Sequence, residues 1–119
     1  MKIKLLLVED EVITAMSLQY ELELLGYDVC EPIVNGEDAI LAAIKEKPSL
    51  ILMDINLIGG IDGIDTIKRI YEKKHIPVIY MSGYSTNDIK ERAMATQPLA
   101  YLGKPVNANE IKSILDGAH

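Results

Sequence analysis

The sequence predicts an α/β fold, a doubly wound (βα)5 three-layer sandwich in which helices cover both faces of a parallel five-stranded sheet. Two observations support this prediction. Five short apolar runs alternate along the chain with five segments whose apolar residues recur at helical spacing. The chain has 119 residues and is 49% apolar, which is enough for one hydrophobic core. We therefore expect residues 1–119 to form a single domain.

The elements follow from these runs in order. Short apolar runs bounded by turn-forming residues are typical of buried strands, and the predicted strands cover residues 3–8, 27–34, 50–53, 77–81 and 100–103. The second of these is the least apolar. Helical spacing predicts the intervening helices at residues 12–25, 35–47, 63–73, 87–95 and 107–115.

Capping residues mark several helix ends. Gly26 stops the first helical pattern, as a C-terminal cap does. Asn35 followed by Asp38, and Asn107 followed by Glu110, have the spacing of helix N-termini. In folds of this class the functional residues lie beyond the carboxyl ends of the strands, so those positions are the ones to examine.

The overall composition excludes several classes of protein. A net charge of −6 argues against nucleic-acid binding through this domain. The apolar runs are too short for a membrane span, and the first of them is too short for a signal peptide. The single cysteine, Cys30, cannot form an internal disulfide. A reducing, cytoplasmic location without membrane contact is therefore expected.

Charged and polar residues follow the predicted strands. Glu9 and Asp10 follow the first strand, Asp54 the third, Ser82 the fourth, and Lys104 the fifth. If the first and third strands are neighbours, three carboxylates converge and repel one another, and a hard divalent cation such as Mg²⁺ relieves that repulsion. A carboxylate nucleophile with a cation, an ammonium group and a hydroxyl beside it is suited to phosphoryl transfer.

Four motifs, each at the end of a predicted strand, carry a family resemblance. They are "LLLVEDE", "LILMDIN", "VIYMSGY" and "YLGKP". With these motifs the chain resembles, over essentially its whole length, the receiver domain of two-component response regulators. The resemblance implies the flavodoxin-like strand order 2-1-3-4-5.

The resemblance also implies a metal site and a phosphoacceptor. Asp54 would accept the phosphoryl group. Mg²⁺ would be held by Glu9, Asp10, Asp54 and the backbone carbonyl of Asn56, with Asp10 the more direct ligand of the acid pair. Glu9 departs from the commoner aspartate at its position, and its longer side chain would reach the metal through water.

The remaining implied residues form a switch. Ser82 would bind a phosphoryl oxygen and report the phosphorylated state, and Lys104 would pair with the phosphoryl group. Tyr101 would change rotamer together with Ser82. The Lys104–Pro105 peptide bond would be cis. Simpler interpretations stay open here, because Ser82 before Gly83 also fits an ordinary turn and Tyr101 also fits plain packing.

The implied function is that of a phosphoacceptor in a two-component phosphorelay, stoichiometric and not enzymatic. A histidine kinase or a histidine phosphotransfer domain would be the donor, and an output domain or downstream protein would read the face built from the fourth helix, fifth strand and fifth helix. One alternative is a receiver-like interaction module that is never phosphorylated. Another is an aspartate-based phosphohydrolase, which needs a second acid where Asn56 stands.

Two further departures from the family lie in the loops near Asp54. The loop "NLIGGIDG" is one residue longer than the Met-Pro loop of many receivers, and its extra glycine predicts flexibility. Tyr84 lies two residues after Ser82, beside the path of an attacking water. We expect this bulky side chain to slow loss of the phosphoryl group, so that Tyr84→Ala would dephosphorylate faster.

Overall fold

The computed structural model describes residues 2–117; of the predicted domain, Met1, Ala118 and His119 lie outside the described residues. Its five strands form one parallel sheet in the order β2-β1-β3-β4-β5, so the predicted doubly wound fold and its strand order are confirmed. The strands are β1 Lys4–Val8, β2 Asp28–Val29, β3 Leu50–Asp54, β4 Val78–Ser82 and β5 Ala100–Gly103. The helices are α1 Val12–Leu24, α2 Gly36–Glu46, α3 Gly63–Tyr71, α4 Asn87–Met94 and α5 Ala108–Gly117.

Two apolar layers lie on opposite faces of this sheet. Successive residues of a strand point to opposite faces, so Leu6 and Val8 enter one layer while Leu5 and Leu7 enter the other. Helices α2, α3 and α4 cover the first layer, and α1 and α5 cover the second. Strands β1, β3 and β4 are buried on both faces, which explains why they read as unbroken apolar runs.

The second strand is much shorter than predicted. The sequence predicts a strand over residues 27–34, whereas β2 is Asp28–Val29 and is followed only by an isolated bridge between Val8 and Ile33. Pro32 lies between these two stretches and has no N–H to donate to a neighbouring strand, so continuous pairing is lost there.

Helix α1 is also more exposed than its apolar pattern suggests. Ala15, Leu18 and Leu22 face the core, but Val12 and Met16 of the same pattern are exposed. The helix is apolar on nearly every side, so periodicity alone could not identify the face that packs on the sheet.

The predicted caps are confirmed. Gly26 adopts a left-handed conformation with φ of +98° just after α1. The Asn35 side chain accepts a hydrogen bond from the Asp38 N–H at 2.8 Å. Asn107 and Glu110 form a reciprocal pair, in which each side chain accepts the other's backbone N–H.

No helix within residues 2–117 combines the length and apolar character needed to cross a lipid bilayer.

Candidate functional site

The parallel sheet brings the ends of β1, β3, β4 and β5 to one edge. Strand β3 lies between β1 and β4, with Val8 opposite Met53 and Asp54 opposite Met81. Strand β5 continues this edge, because Ser82 lies opposite Gly103 and the Lys104 N–H donates to the Ser82 carbonyl at 2.8 Å. Strands β3 and β4 each run one residue further than predicted, so Asp54 and Ser82 are the last residues of their strands.

Three carboxylates converge at this edge, as the sequence predicts. Glu9, Asp10 and Asp54 each offer one oxygen within 4.8 Å of the others. Glu9 and Asp54 are each only 1% exposed, and Asp10 is half-buried. Backbone N–H groups fix all three side chains: Glu11 donates to Glu9 at 3.1 Å, Asn56 to Asp54 at 2.9 Å and Ile58 to Asp10 at 3.0 Å.

Lys104 compensates part of this negative charge. Its ammonium nitrogen lies 2.7 Å from Glu9 Oε1 and 3.2 Å from Asp54 Oδ2. Burial raises the pKa of Glu9 from its ordinary 4.5 to about 7, and the hydrogen bond with Lys104 only partly opposes this. Burial acts to lower the pKa of Lys104, but its bonds with Glu9 and the charge of Asp54 outweigh burial and raise it.

The carboxylate cluster fits a hard divalent cation. All of the ligand atoms that the side chains offer are oxygens, and three carboxylates face one ammonium group. Metals such as Mg²⁺ and Ca²⁺ prefer such oxygens, whereas Zn²⁺ sites usually contain nitrogen or sulfur ligands. The residues present can therefore hold a metal ion of this kind.

Ser82 and Asn56 lie beside the carboxylates. The Ser82 hydroxyl donates to the Tyr84 carbonyl at 2.9 Å, with the Asn56 side-chain oxygen as a longer acceptor at 3.3 Å. The Asn56 backbone is tied to Asp54 through its N–H. The structure thus groups six of the seven predicted site residues, namely Glu9, Asp10, Asp54, Asn56, Ser82 and Lys104.

The seventh, Tyr101, lies apart from this group. It is half-buried on β5 opposite Tyr80, against the layer that contains α4. The Lys90 ammonium lies 5.7 Å from the centre of its ring. Its buried hydroxyl has no hydrogen-bond partner among residues 2–117. The peptide bond from Lys104 to Pro105 is cis, as expected.

Two residues that shape the site were not predicted. Gly63 begins α3 so close to β3 that a side chain there would place Cβ 2.2 Å from the Asp54 carbonyl oxygen. Glu37, from the first turn of α2, accepts the Ile61 N–H at 3.3 Å. Glycine and glutamate are both ordinary at helix N-termini, so the sequence carries no signal that distinguishes these two contacts.

Fold and site together define a doubly wound α/β domain with an acidic, lysine-containing pocket at its strand ends. The sequence model of the response regulator receiver domain family matches residues 5–116. The chain therefore belongs to the response regulator receiver domain family.

Individual relatives agree with this assignment. The transcriptional regulatory protein PdtaR of Mycobacterium tuberculosis is 32% identical over 108 residues, which is 91% of this chain and 52% of that protein. Sporulation initiation phosphotransferase F of Bacillus subtilis is 31% identical over 110 residues, covering 92% of this chain and 87% of the relative. The chain spans about half the length, or less, of the first curated relatives that it matches.

Solved structures show the same fold. The signal receiver domain of a modulated diguanylate cyclase from Desulfovibrio desulfuricans G20 superposes with a TM-score of 0.88 at 34% identity, covering 95% of this chain and 90% of that chain. A CheY-like receiver domain protein from Methanospirillum hungatei JF-1 has a TM-score of 0.89 at 22% identity and covers 99% of this chain and 94% of that chain.

Proposed function

We propose that this chain works as one receiver domain whose Asp54 accepts a phosphoryl group from a phosphohistidine donor. The observation that supports this most is the environment of Asp54. It is a buried carboxylate placed between two further acids and the Lys104 ammonium. A carboxylate that only capped a loop would have no need of these companions.

The proposed step is a direct displacement at phosphorus. A carboxylate oxygen of Asp54 forms a bond to phosphorus while the bond from phosphorus to the donor's imidazole nitrogen breaks, and that nitrogen keeps the electron pair. The carboxylate needs no general base. The Asn56 N–H fixes its orientation at 2.9 Å, and Lys104 places a positive charge 3.2 Å from it, beside the incoming phosphoryl oxygens.

Mg²⁺ is the proposed cofactor, held by Glu9, Asp10, Asp54 and the Asn56 backbone carbonyl. When bound, it would neutralise charge on the transferring phosphoryl group. Glu9 and Asp10 hold the pocket negative enough to attract such a cation, and Lys104 keeps Glu9 paired.

The proposed response to phosphorylation begins at Ser82. In the unphosphorylated structure its hydroxyl donates to the Tyr84 carbonyl. A phosphorylated Asp54 offers stronger acceptor oxygens nearby, so the hydroxyl turns toward it. Movement of the loop after β4 then lets Tyr101 and α4 repack, which changes the face formed by α4, β5 and α5.

The proposed partners follow from this cycle. A histidine kinase or a histidine phosphotransfer domain supplies the phosphoryl group, and an output domain or a separate protein binds the α4-β5-α5 face. One phosphoryl group is accepted per chain, so the domain is a stoichiometric acceptor and not an enzyme with turnover. One curated relative, sporulation initiation phosphotransferase F, of which the chain covers 87%, is named as a phosphotransferase.

The test measures intact-protein mass after incubation with acetyl phosphate. Wild-type protein with Mg²⁺ is expected to gain one phosphoryl group, and the gain should disappear in EDTA and in Asp54→Asn. Asp28→Asn, which changes an exposed aspartate on β2, is the matched control and should still gain it. A folded wild-type protein that binds Mg²⁺ but gains no mass would favour the unphosphorylated interaction module instead.

A further inference from the structure

A cavity of about 360 Å³ lies at the end of the molecule away from Asp54. The last turn of α3 and the turn that follows α4 line it, through Lys68, Tyr71, His75, Ala95, Thr96 and Gln97. Helix α3 begins beside Asp54 and rises about 12 Å along its axis from Gly63 to Tyr71, so this cavity is separate from the acidic pocket. Cavities of this size can hold a small molecule.

Two stacked rings form one wall of this cavity. The ring centres of Tyr71 and His75 are 4.4 Å apart, and the angle between the ring planes is 26°. Tyr71 is half-buried against the apolar layer beneath α3, whereas His75 is exposed. Exposed aromatic rings bind other planar rings by stacking, and a ring that is already held by a neighbour needs little ordering to do so. This wall therefore suits a planar aromatic ligand.

Hydrogen bonds hold the other wall in place. The Thr96 hydroxyl donates to the Ala93 carbonyl at 2.7 Å and accepts from the buried Tyr80 hydroxyl at 2.8 Å. Gln97 follows in a left-handed conformation with φ of +56°, and its N–H donates to the Met94 carbonyl at 3.0 Å. The cavity thus has its shape before a ligand binds, which lowers the entropy cost of binding.

The segment that supplies the stacked rings is strongly basic. Residues 68–75 hold a third of the chain's 12 lysines and arginines and one acid, Glu72. The cations are Lys68, Arg69, Lys73 and Lys74. All four are exposed, and none forms an ion pair with a carboxylate of residues 2–117. The dipole of α3 favours cations at its C-terminal end, but that effect does not require an aromatic cavity beside them. The local positive charge attracts anions.

We propose that this cavity binds a nucleoside monophosphate, with the base stacked on His75 and the phosphate beside Lys68. Such a ligand combines a planar aromatic ring and a negative charge, which are the two features that the cavity can recognise. Phosphate alone would use only the cations, and a neutral nucleoside would use only the rings. The proposal does not depend on phosphorylation of Asp54, because the cavity shares no residue with the carboxylate cluster.

The test is a titration of nitrogen-15-labelled protein with adenosine 5′-monophosphate, followed by the shifts of backbone amide signals in NMR spectra. EDTA is present, so that no metal ion can carry the nucleotide to the acidic pocket. We expect saturable shifts at residues 68–75 and 95–97, with a dissociation constant of about 1 mM or lower. Adenosine and inorganic phosphate, titrated separately, should each bind at least about tenfold more weakly.

Four variants locate the two parts of the ligand. His75→Ala removes the exposed ring and Lys68→Gln removes the charge, and each should weaken binding of the nucleotide about tenfold. His75→Phe keeps an aromatic ring and should bind within about twofold of the wild type. Lys45→Gln, which changes an exposed lysine on α2, is the matched control and should bind like the wild type.

Several results would overturn the proposal. One is the absence of saturable shifts with the nucleotide at about 10 mM, and another is shifts centred on residues around Asp54. Inorganic phosphate that bound as tightly as the nucleotide would show a general anion site instead. A glutamate-rich peptide that displaced the nucleotide and bound the same residues more tightly would indicate an acidic protein partner in its place.

Discussion

Glu9 is a carboxyl group held where water hardly reaches it. It is 1% exposed, and among residues 2–117 the one cation paired with it is Lys104, which also pairs with Asp54. Burial disfavours the charged form more than the lysine favours it, so the pKa of Glu9 rises to about 7. Near neutral pH Glu9 is therefore partly protonated in the metal-free pocket, and a bound cation would displace that proton.

This raised pKa predicts how stability depends on pH without metal. Between about pH 4.5 and pH 7 the folded protein holds a proton on Glu9 that the unfolded chain releases, so the contribution of Glu9 to stability falls as pH rises. Glu9→Gln removes this term. In EDTA, the free energy of unfolding of Glu9→Gln relative to wild type should rise by roughly 2–3 kcal/mol across that window.

Urea unfolding at several pH values measures this difference. Glu23→Gln, which changes an exposed glutamate on α1, controls for the loss of one carboxyl group and should track the wild type. If the Glu9→Gln and wild-type curves stay parallel from pH 4.5 to pH 7, the pKa of Glu9 is not raised as described.

Helix α3 is packed against the end of β3 through its first residue. Asp62 caps the helix by accepting the Asp65 N–H at 2.8 Å, and Gly63 then passes beside the Asp54 backbone. Only a residue without Cβ allows this approach, since a Cβ would lie 2.2 Å from the Asp54 carbonyl oxygen and 2.9 Å from Ile55 Cα. The position of α3 is thereby linked to the position of Asp54.

Gly63→Ala should therefore damage both stability and chemistry. We expect a loss of about 1–3 kcal/mol in the free energy of unfolding, because α3 or the end of β3 must shift. Phosphorylation by acetyl phosphate should slow as Asp54 is displaced. Gly117→Ala, at the end of α5 where a Cβ meets nothing within 4 Å, is the matched control and should unfold like the wild type. Wild-type behaviour of Gly63→Ala would show that this contact is not tight.

The sequence predicted the order of the strands and helices well, but it predicted the length of one strand and the long-range contacts near the site poorly. Alternation of strands and helices, with acids after the first and third strands, was enough to bring Glu9, Asp10 and Asp54 to one edge. The predicted length of β2 was wrong because Pro32 interrupts the pairing of this segment with β1. The contacts of Glu37 and Gly63 join residues distant in sequence through loop geometry, and residue type alone does not specify such contacts.

The molecule as a whole separates its apolar and charged parts. Two apolar layers without Phe or Trp fill both faces of the sheet, and the buried carboxylates lie together at one edge. Repulsion among those carboxylates opposes folding in the absence of a cation. A cation that binds only the folded protein raises its stability by mass action.

Mg²⁺ should accordingly raise the melting temperature. At about one hundred times its dissociation constant the expected gain is about 2.7 kcal/mol, which corresponds to several degrees and is reversed by EDTA. Asp10→Asn should melt no lower than wild type in EDTA, since one charge of the cluster is gone, and should lose most of the Mg²⁺ response. The matched control is Asp28→Asn, which should show the same rise in melting temperature with Mg²⁺ as the wild type. A full Mg²⁺ response in Asp10→Asn would show that Asp10 is not a ligand of the metal.

Helix α4 is attached to the rest of the molecule very lightly. Ala93 is its one buried residue. Its Arg92 forms exposed ion pairs with Asp62 and Asp65. Just beyond the helix, the hydroxyl groups of Thr96 and Tyr80 form a hydrogen bond. Exposed ion pairs contribute little to stability, because water solvates the separated charges almost as well. If Asp54 is phosphorylated as proposed, we therefore expect α4 to move more readily than the strands of the sheet, which are buried on both faces. In the proposed function, the chemistry at Asp54 would depend on the rigid part of the molecule, and the signal would depend on its most loosely attached helix.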